Sequence, residues 1–195
     1  MFNKKISLYL ASALLPTIFV LPTHASQLDF ALSEEAAALE AYVDTNALSA
    51  GRAQMSVGGI YNEDDDIAGF VGFSSSGSGN YTTNNPYTFG VGVRGYYAAL
   101  EDLDKDVGAI ALGVNGKMRF NAVFPLAVTG ELYYAPKITT FDDGDDLLDT
   151  RIRLETDVSP NARAFIGYRI LQAELKSGGD YEIDDQVQLG INFDF

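Results

Sequence analysis

Apolar and polar positions alternate with period two along most of this chain, the spacing that sends successive side chains to opposite faces of a β-strand. From Tyr87 one face carries Tyr87, Phe89, Val91, Val93, Gly95, Tyr97 and Ala99, and the other Thr88, Gly90, Gly92, Arg94, Tyr96 and Ala98. The same rhythm sets Leu126, Val128, Gly130, Leu132 and Tyr134 against Ala127, Thr129, Glu131 and Tyr133. It sets Leu148, Thr150, Ile152, Leu154, Thr156 and Val158 against Asp149, Arg151, Arg153 and Glu155, then Ala162, Ala164, Ile166, Tyr168 and Ile170 against Arg163, Phe165, Gly167 and Arg169. The last segment reads Ile183, Asp185, Val187, Leu189, Ile191, Phe193 and Phe195 on one face, with Asp184, Gln186, Gln188, Gly190, Asn192 and Asp194 on the other. Stretches near 51–61, 66–74 and 107–117 alternate less cleanly because Gly and Ala dilute both faces, and eight strands are predicted over 51–195. Within 26–50, Leu28 to Ser33 and Ala37 to Val43 are candidates for a short hairpin around Ser33 to Ala36, which leaves the count at eight or ten.

The first 25 residues follow another rule. Lys4 and Lys5 precede an apolar stretch from Ile6 to Leu21, and the short polar end Pro22-Thr23-His24-Ala25 follows, the layout of a secretory signal peptide cleaved between Ala25 and Ser26. Residues 26–195 then form one domain. Removing 25 residues, two of them lysines, leaves 170 residues with 11 basic and 27 acidic side chains, a formal charge of −16. The only histidine, His24, leaves with the signal, and the chain has no cysteine. A Ser-His-Asp triad, a thiol nucleophile, a zinc cluster and a disulfide framework are thereby excluded. The acidic surplus excludes an electrostatic grip on nucleic acid.

Alternation alone does not say which face is inside. A soluble barrel hides its apolar face, whereas a membrane barrel turns it toward lipid and keeps polar residues in the lumen. Three features favour the second arrangement. The acids cluster in every other connection: 62–66, 101–106, 142–149 and 180–185 hold 17 of the 27, while 44–50, 75–86, 118–125 and 157–161 hold only Asp44 and Asp157. In an up-and-down meander alternate connections share an end, so one rim is predicted to be anionic and the other nearly neutral. Tyr61, Tyr87, Phe89, Tyr97, Tyr133, Tyr134, Tyr168, Phe193 and Phe195 fall near strand ends, where interfacial girdles lie. Finally, Val187, Leu189, Ile191, Phe193 and the terminal Phe195 resemble the C-terminal recognition strand of bacterial outer-membrane barrels.

The start Leu28-Asp29-Phe30-Ala31-Leu32-Ser33-Glu34-Glu35-Ala36-Ala37, the stretch Gly59-Ile60-Tyr61-Asn62-Glu63-Asp64-Asp65-Asp66, the strand start Pro86-Tyr87-Thr88-Phe89-Gly90-Val91-Gly92-Val93 and the Phe-terminated last strand resemble the YfaZ-type family of small proteobacterial outer-membrane proteins. The resemblance implies an all-β, up-and-down transmembrane barrel of eight to ten strands, exported through the general secretory pathway to the outer membrane of a Gram-negative bacterium. It implies lipid and lipopolysaccharide as surroundings, and barrel-assembly machinery and periplasmic chaperones as partners during biogenesis. It implies no reaction and no cofactor.

The residues point to a barrel whose lumen is filled by Arg94, Glu131, Arg151, Arg153, Glu155, Arg163 and Arg169 pairing across strands, a structural or surface-interacting protein rather than an enzyme. A narrow channel for small solutes or ions is the alternative, and the two charge signals conflict there, since an anionic rim favours cations and lumenal arginines oppose them. A soluble periplasmic barrel of lipocalin type is a second alternative, requiring Val91, Val93, Leu132, Ile152, Leu154, Ile166, Ile170, Leu189 and Ile191 to point inward. The carboxylates of Asp142, Asp143, Asp145 and Asp146 around Gly144 are candidates for Ca²⁺ or Mg²⁺, although they lack the closing Glu of the twelve-residue Ca²⁺ loop.

Overall fold

The computed structural model describes residues 26–45, 52–82, 85–121 and 125–195. The expected signal peptide, Met1 to Ala25, lies outside them, so of the cleavage pair only Ser26 is described. The strands are β1 (Gln27–Leu32), β2 (Ala36–Thr45), β3 (Arg52–Asn62), β4 (Ile67–Thr82), β5 (Asn85–Leu100), β6 (Lys105–Asn121), β7 (Pro125–Ala135), β8 (Thr140–Asp142), β9 (Gly144–Ser159), β10 (Ala162–Leu175) and β11 (Asp180–Asp194). Each wall strand pairs antiparallel with its neighbours, and β1 pairs with β11 through Phe30 opposite Ile191 and Leu32 opposite Leu189, which closes the sheet. The short β8 extends β7's place along β6 beyond a break at Pro136 to Thr139, where proline lacks the N–H a ladder needs. The wall therefore has ten strands. The hairpin at the start of the mature chain is part of it, β1 and β2 meeting with Phe30 opposite Leu39.

Strands are longer and connections shorter than the sequence predicts. Residues 145–149 lie in β9 and 180–185 in β11, so these acidic stretches are mostly strand. Most of 75–86 belongs to β4 and β5, and 118–121 to β6. Residues 46–51, 83–84 and 122–124, in the neutral-rim connections, lie outside the described residues. Ladder pairing explains the extension, because backbone groups gain partners whatever their side chains are.

The faces are sorted as a lipid-embedded barrel requires. Val91, Val93, Leu132, Ile152, Leu154, Ile166 and Leu189 point outward and are exposed, which overturns the lipocalin arrangement that needed them inside. Aromatic side chains ring both ends of this apolar wall: Tyr61, Tyr97, Tyr134 and Tyr168 toward the acidic rim, Tyr87, Phe89, Phe193 and Phe195 toward the neutral one. Tyr133 departs from the girdle expected for it and is buried in the lumen. Ile183 departs as well. The register between β10 and β11 slips past it, from Leu171 opposite Asp184 to Gln172 opposite Glu182. This bulge turns Ile183 inward together with Asp184 and breaks the clean alternation of the last strand at its start.

Inward aromatics lie across glycines of the adjoining strand. Phe165 faces Gly190, Tyr133 faces Gly113 and Phe70 faces Gly58, each pair directly opposite in register. A Cβ at Gly190 would overlap the Phe165 ring and the Phe30 carbonyl, whereas one at Gly77 meets nothing within 4 Å. Gly190→Val is expected to lower unfolding free energy by about 1–3 kcal/mol, read from urea midpoints of the refolded barrel in micelles, while Gly77→Ala leaves it unchanged.

Candidate functional site: the closed lumen

The inward residues of the ten strands form three successive layers. At the acidic-rim ends of the strands, Ile60, Ala68, Leu100, Val107, Ala109, Ala135, Leu147, Leu171, Ala173, Leu175 and Ile183 pack into one apolar cluster that fills the bore. Asp66 ties the rim above it. Its carboxylate accepts hydrogen bonds from the backbone N–H of Glu101 (2.9 Å), the Asn62 amide (3.1 Å) and the Tyr181 hydroxyl (2.8 Å), joining connections that lie far apart in sequence.

Below this cap lies a charged belt. Arg94 on β5 donates through Nη2 to Glu40 Oε1 at 3.0 Å and to Glu131 Oε2 at 2.9 Å. Arg151 on β9 places Nη1 2.8 Å from Glu40 Oε2 and donates through Nη2 to Glu131 Oε2 at 2.7 Å. Glu40 stands on β2, so these contacts span the bore rather than run along one wall. Arg169 grips Asp149 bidentately at 3.1 and 2.8 Å, and the Tyr96 hydroxyl donates to the same carboxylate at 2.8 Å. Arg153 donates to Asp29 at 2.6 Å, and Asn192 donates to that carboxylate as well. Aromatic rings hold the guanidiniums in place: Arg94 sits 4.3 Å from the Tyr133 ring centre and 4.7 Å from that of Phe70, and Arg153 sits 4.2 Å from that of Phe165. Arg94, Arg151, Arg153 and Arg169 are matched by Asp29, Glu40, Glu131 and Asp149, four charges of each sign. That balance is what makes burial tolerable, because an unpaired charge in a closed bore would be very costly.

The third layer, toward the neutral rim, is polar and less crowded. Here Glu155 accepts from Lys117 and, at 2.7 Å, from Thr129, and Arg163 donates to Asn192 at 2.6 Å and Asp194 at 2.8 Å. All seven charged residues expected in the lumen thus point into it, but in two groups. Arg94, Glu131, Arg151, Arg153 and Arg169 join the belt, while Glu155 and Arg163 stand apart from it. Glu40, Asp29, Asp149 and Lys117 complete the pairs and were absent from that expected set. For Asp149 the phase carried the signal, since it alternates in step with Arg151.

The acidic stretch considered for a metal is divided by the turn between β8 and β9. The Asp143 carboxylate accepts from the Asp106 N–H (3.4 Å), Asp145 from Lys137 (2.7 Å) and Asp146 from the Tyr134 hydroxyl (3.3 Å), while the Asp142 carbonyl accepts from Lys176. Its hydrogen bond to Asp145 holds the Lys137 ammonium above its ordinary pKa. Among the described residues no three acidic or other ligating side chains are grouped to hold an ion. Three of the acids assigned to the anionic rim, Asp66, Asp149 and Asp184, are buried instead, and the rim is correspondingly less charged than the sequence suggests. The C-terminal set keeps its place on the outer face, with Val187, Leu189, Phe193 and Phe195 exposed and Ile191 half-buried.

A family model described as YfaZ precursor matches residues 4–195. Among solved structures, one titled "NanC porin structure in rhombohedral crystal form" is similar at 14% sequence identity and a TM-score of 0.35, over 87% of this chain and 98% of that one. No curated protein matches.

Proposed function

Since the chain belongs to the YfaZ precursor family, as the match over nearly its whole length shows, we propose that it is an integral outer-membrane barrel with a closed lumen, acting as a structural or surface-interacting element rather than as an enzyme. The observation that carries this reading is the combination of an apolar outer wall with an inner bore blocked twice, once by the apolar cap and once by the belt of paired charges. A wall strand in contact with lipid needs apolar side chains outward and all backbone groups paired, and ring closure supplies the second condition by leaving no edge. The conflict between anionic rim and lumenal arginines disappears, because the arginines are neutralised in place and present no net field to a passing ion. In this reading the end bearing Phe195 faces the periplasm and the acidic rim faces outward.

The test is electrical. The purified full-length barrel, reconstituted in planar bilayers, is expected to give no reproducible unitary conductance steps under moderate voltage. Reproducible steps of one size would overturn the closed lumen in favour of a narrow channel. Recovery of the folded protein in a detergent-free soluble fraction would overturn the membrane reading itself.

A further inference from the structure

On the neutral-rim side of the belt the bore is not filled. A cavity of about 190 Å³ lies there, with room for about six waters at ~30 Å³ each. Its wall on β3 to β6 is built of small side chains, among them Ser56, Ser74, Ser76 and Thr88, and its floor is Arg94, Glu131 and Tyr133. The glycines between them are there for the floor. A Cβ at Gly72 would come 2.9 Å from Arg94 Cγ, and one at Gly92 would come 2.8 Å from the Tyr133 hydroxyl. Small residues therefore seat the floor side chains and leave the space beside them open.

The charges that reach this cavity are already engaged: Asp29 by Arg153, Glu155 by Lys117, Glu131 by Arg94 and Arg151. An added ion would find no uncompensated partner. What remains is neutral, hydroxyl and amide groups that both donate and accept, including Asn115, opposite Gly90 in register. Two donors of the floor arginine are left over. Arg94 is almost wholly buried, and its Nε has no hydrogen-bond partner among the described residues, while its Nη1 lies 3.5 Å from Asp149 Oδ2 without hydrogen-bond geometry.

We propose that this vestibule binds a small uncharged polyol or sugar, whose hydroxyls bond the serines, Thr88 and Asn115 beside the Arg94 floor. Binding here needs no passage through the barrel, since cap and belt close the far side.

The test uses the full-length barrel in micelles, glucose as probe, and saturation-transfer NMR, with glucuronate and glucosamine as charged comparators and the Arg94 Nε–H resonance as a local reporter. Saturable transfer to glucose is expected, about tenfold weaker for both comparators, with a dose-dependent shift of the Arg94 resonance. Ser74→Leu and Ser76→Leu, which fill the space, are each expected to weaken it by about tenfold or more. A vestibule that holds only water would give no saturable transfer and no shift in the unaltered protein, and that overturns the proposal without reference to any variant. Transfer unaffected by both leucines, or glucuronate binding as tightly as glucose, overturns it equally. Conductance plays no part in these readouts, so the closed-lumen reading stands or falls separately.

Discussion

Replacing Glu40 by Gln is expected to lower the unfolding free energy of the refolded barrel by about 3 kcal/mol, among the largest effects of any single lumenal change. The carboxylate faces two guanidiniums at once, Arg94 at 3.0 Å and Arg151 at 2.8 Å, and all three side chains are within 4% of full burial. Glutamine keeps the shape and one acceptor oxygen. Its amide nitrogen, however, must turn toward one of the two arginines, and the cluster of two positive and two negative charges becomes net positive among side chains that are almost wholly buried. Glu131 cannot compensate, because its Oε2 already accepts from both arginines, at 2.9 and 2.7 Å. The sign of the interaction is checked by a double change. Adding Arg151→Gln to Glu40→Gln restores the charge balance, so the double variant is expected to cost less than the two single ones together by at least about 1 kcal/mol in guanidinium or urea unfolding. Additive costs within about 0.5 kcal/mol would mean that the belt contacts are merely adjacent.

The cost of such a change follows from geometry that the sequence discloses only in part. The phase of each strand was legible, because residues two apart share a face whatever the fold does with that face. Arg94, Arg151, Arg153 and Arg169 could therefore be placed opposite the apolar set from alternation alone, and the acidic connections, the aromatic positions and the last strand turned that face toward the lumen. Two carboxylates that answer them escaped for a physical reason. Asp29 and Glu40 sit on β1 and β2, where alanines dilute both faces, so no periodic contrast marks their direction. Asp149 was hidden differently. It stood both on the polar face of its strand and at the end of an acidic run taken as connection, and the ladder with Tyr133 and Leu171 makes it strand.

The apolar cap was not legible at all. Alternation assigns such cap residues as Leu100, Leu147 and Leu171 to the polar face, and Ala109, Ala135 or Ala173 carries no signature that separates a filled bore from a small-residue lining. Only convergence of ten strands shows that Leu100, Leu147, Leu171 and Leu175 meet at one level. The bulge at Ile183 has the same origin: a register slip is a property of a strand pair, and one strand's sequence does not contain it. The serine run at 74–76 is the converse. Its Ser75 and Ser76 fell in an expected connection, and in the barrel the run is the wall that keeps the vestibule open.

Leu154→Arg, on the opposite face, is expected to destabilise the barrel in lipid by about 2–4 kcal/mol. Leu154 points outward near the middle of β9 and stands in a register row with Val128 on β7, Ile166 on β10, Leu189 on β11 and Leu32 on β1, an unbroken apolar stripe across five strands. In a water-exposed sheet the same substitution would be close to neutral, since a half-exposed leucine gains little from burial and an arginine there is solvated. The two environments therefore predict different results from one change, and the solvent outside the wall is what the measurement reads. Unfolding titrations in phospholipid vesicles separate them, with Leu154→Ala as the control that removes bulk without adding charge. The depth of the site is tested by the same series. Val158→Arg, four residues nearer the neutral rim, is expected to cost no more than about 1 kcal/mol, because a long cationic side chain near the interface reaches the headgroups. Equal costs at 154 and 158, or none at either, would show that no bilayer surrounds the wall. A graded cost falling toward the rim requires lipid along this stripe, and with lipid outside, the polar faces of the strands, the paired charges of the belt among them, have only the lumen to face.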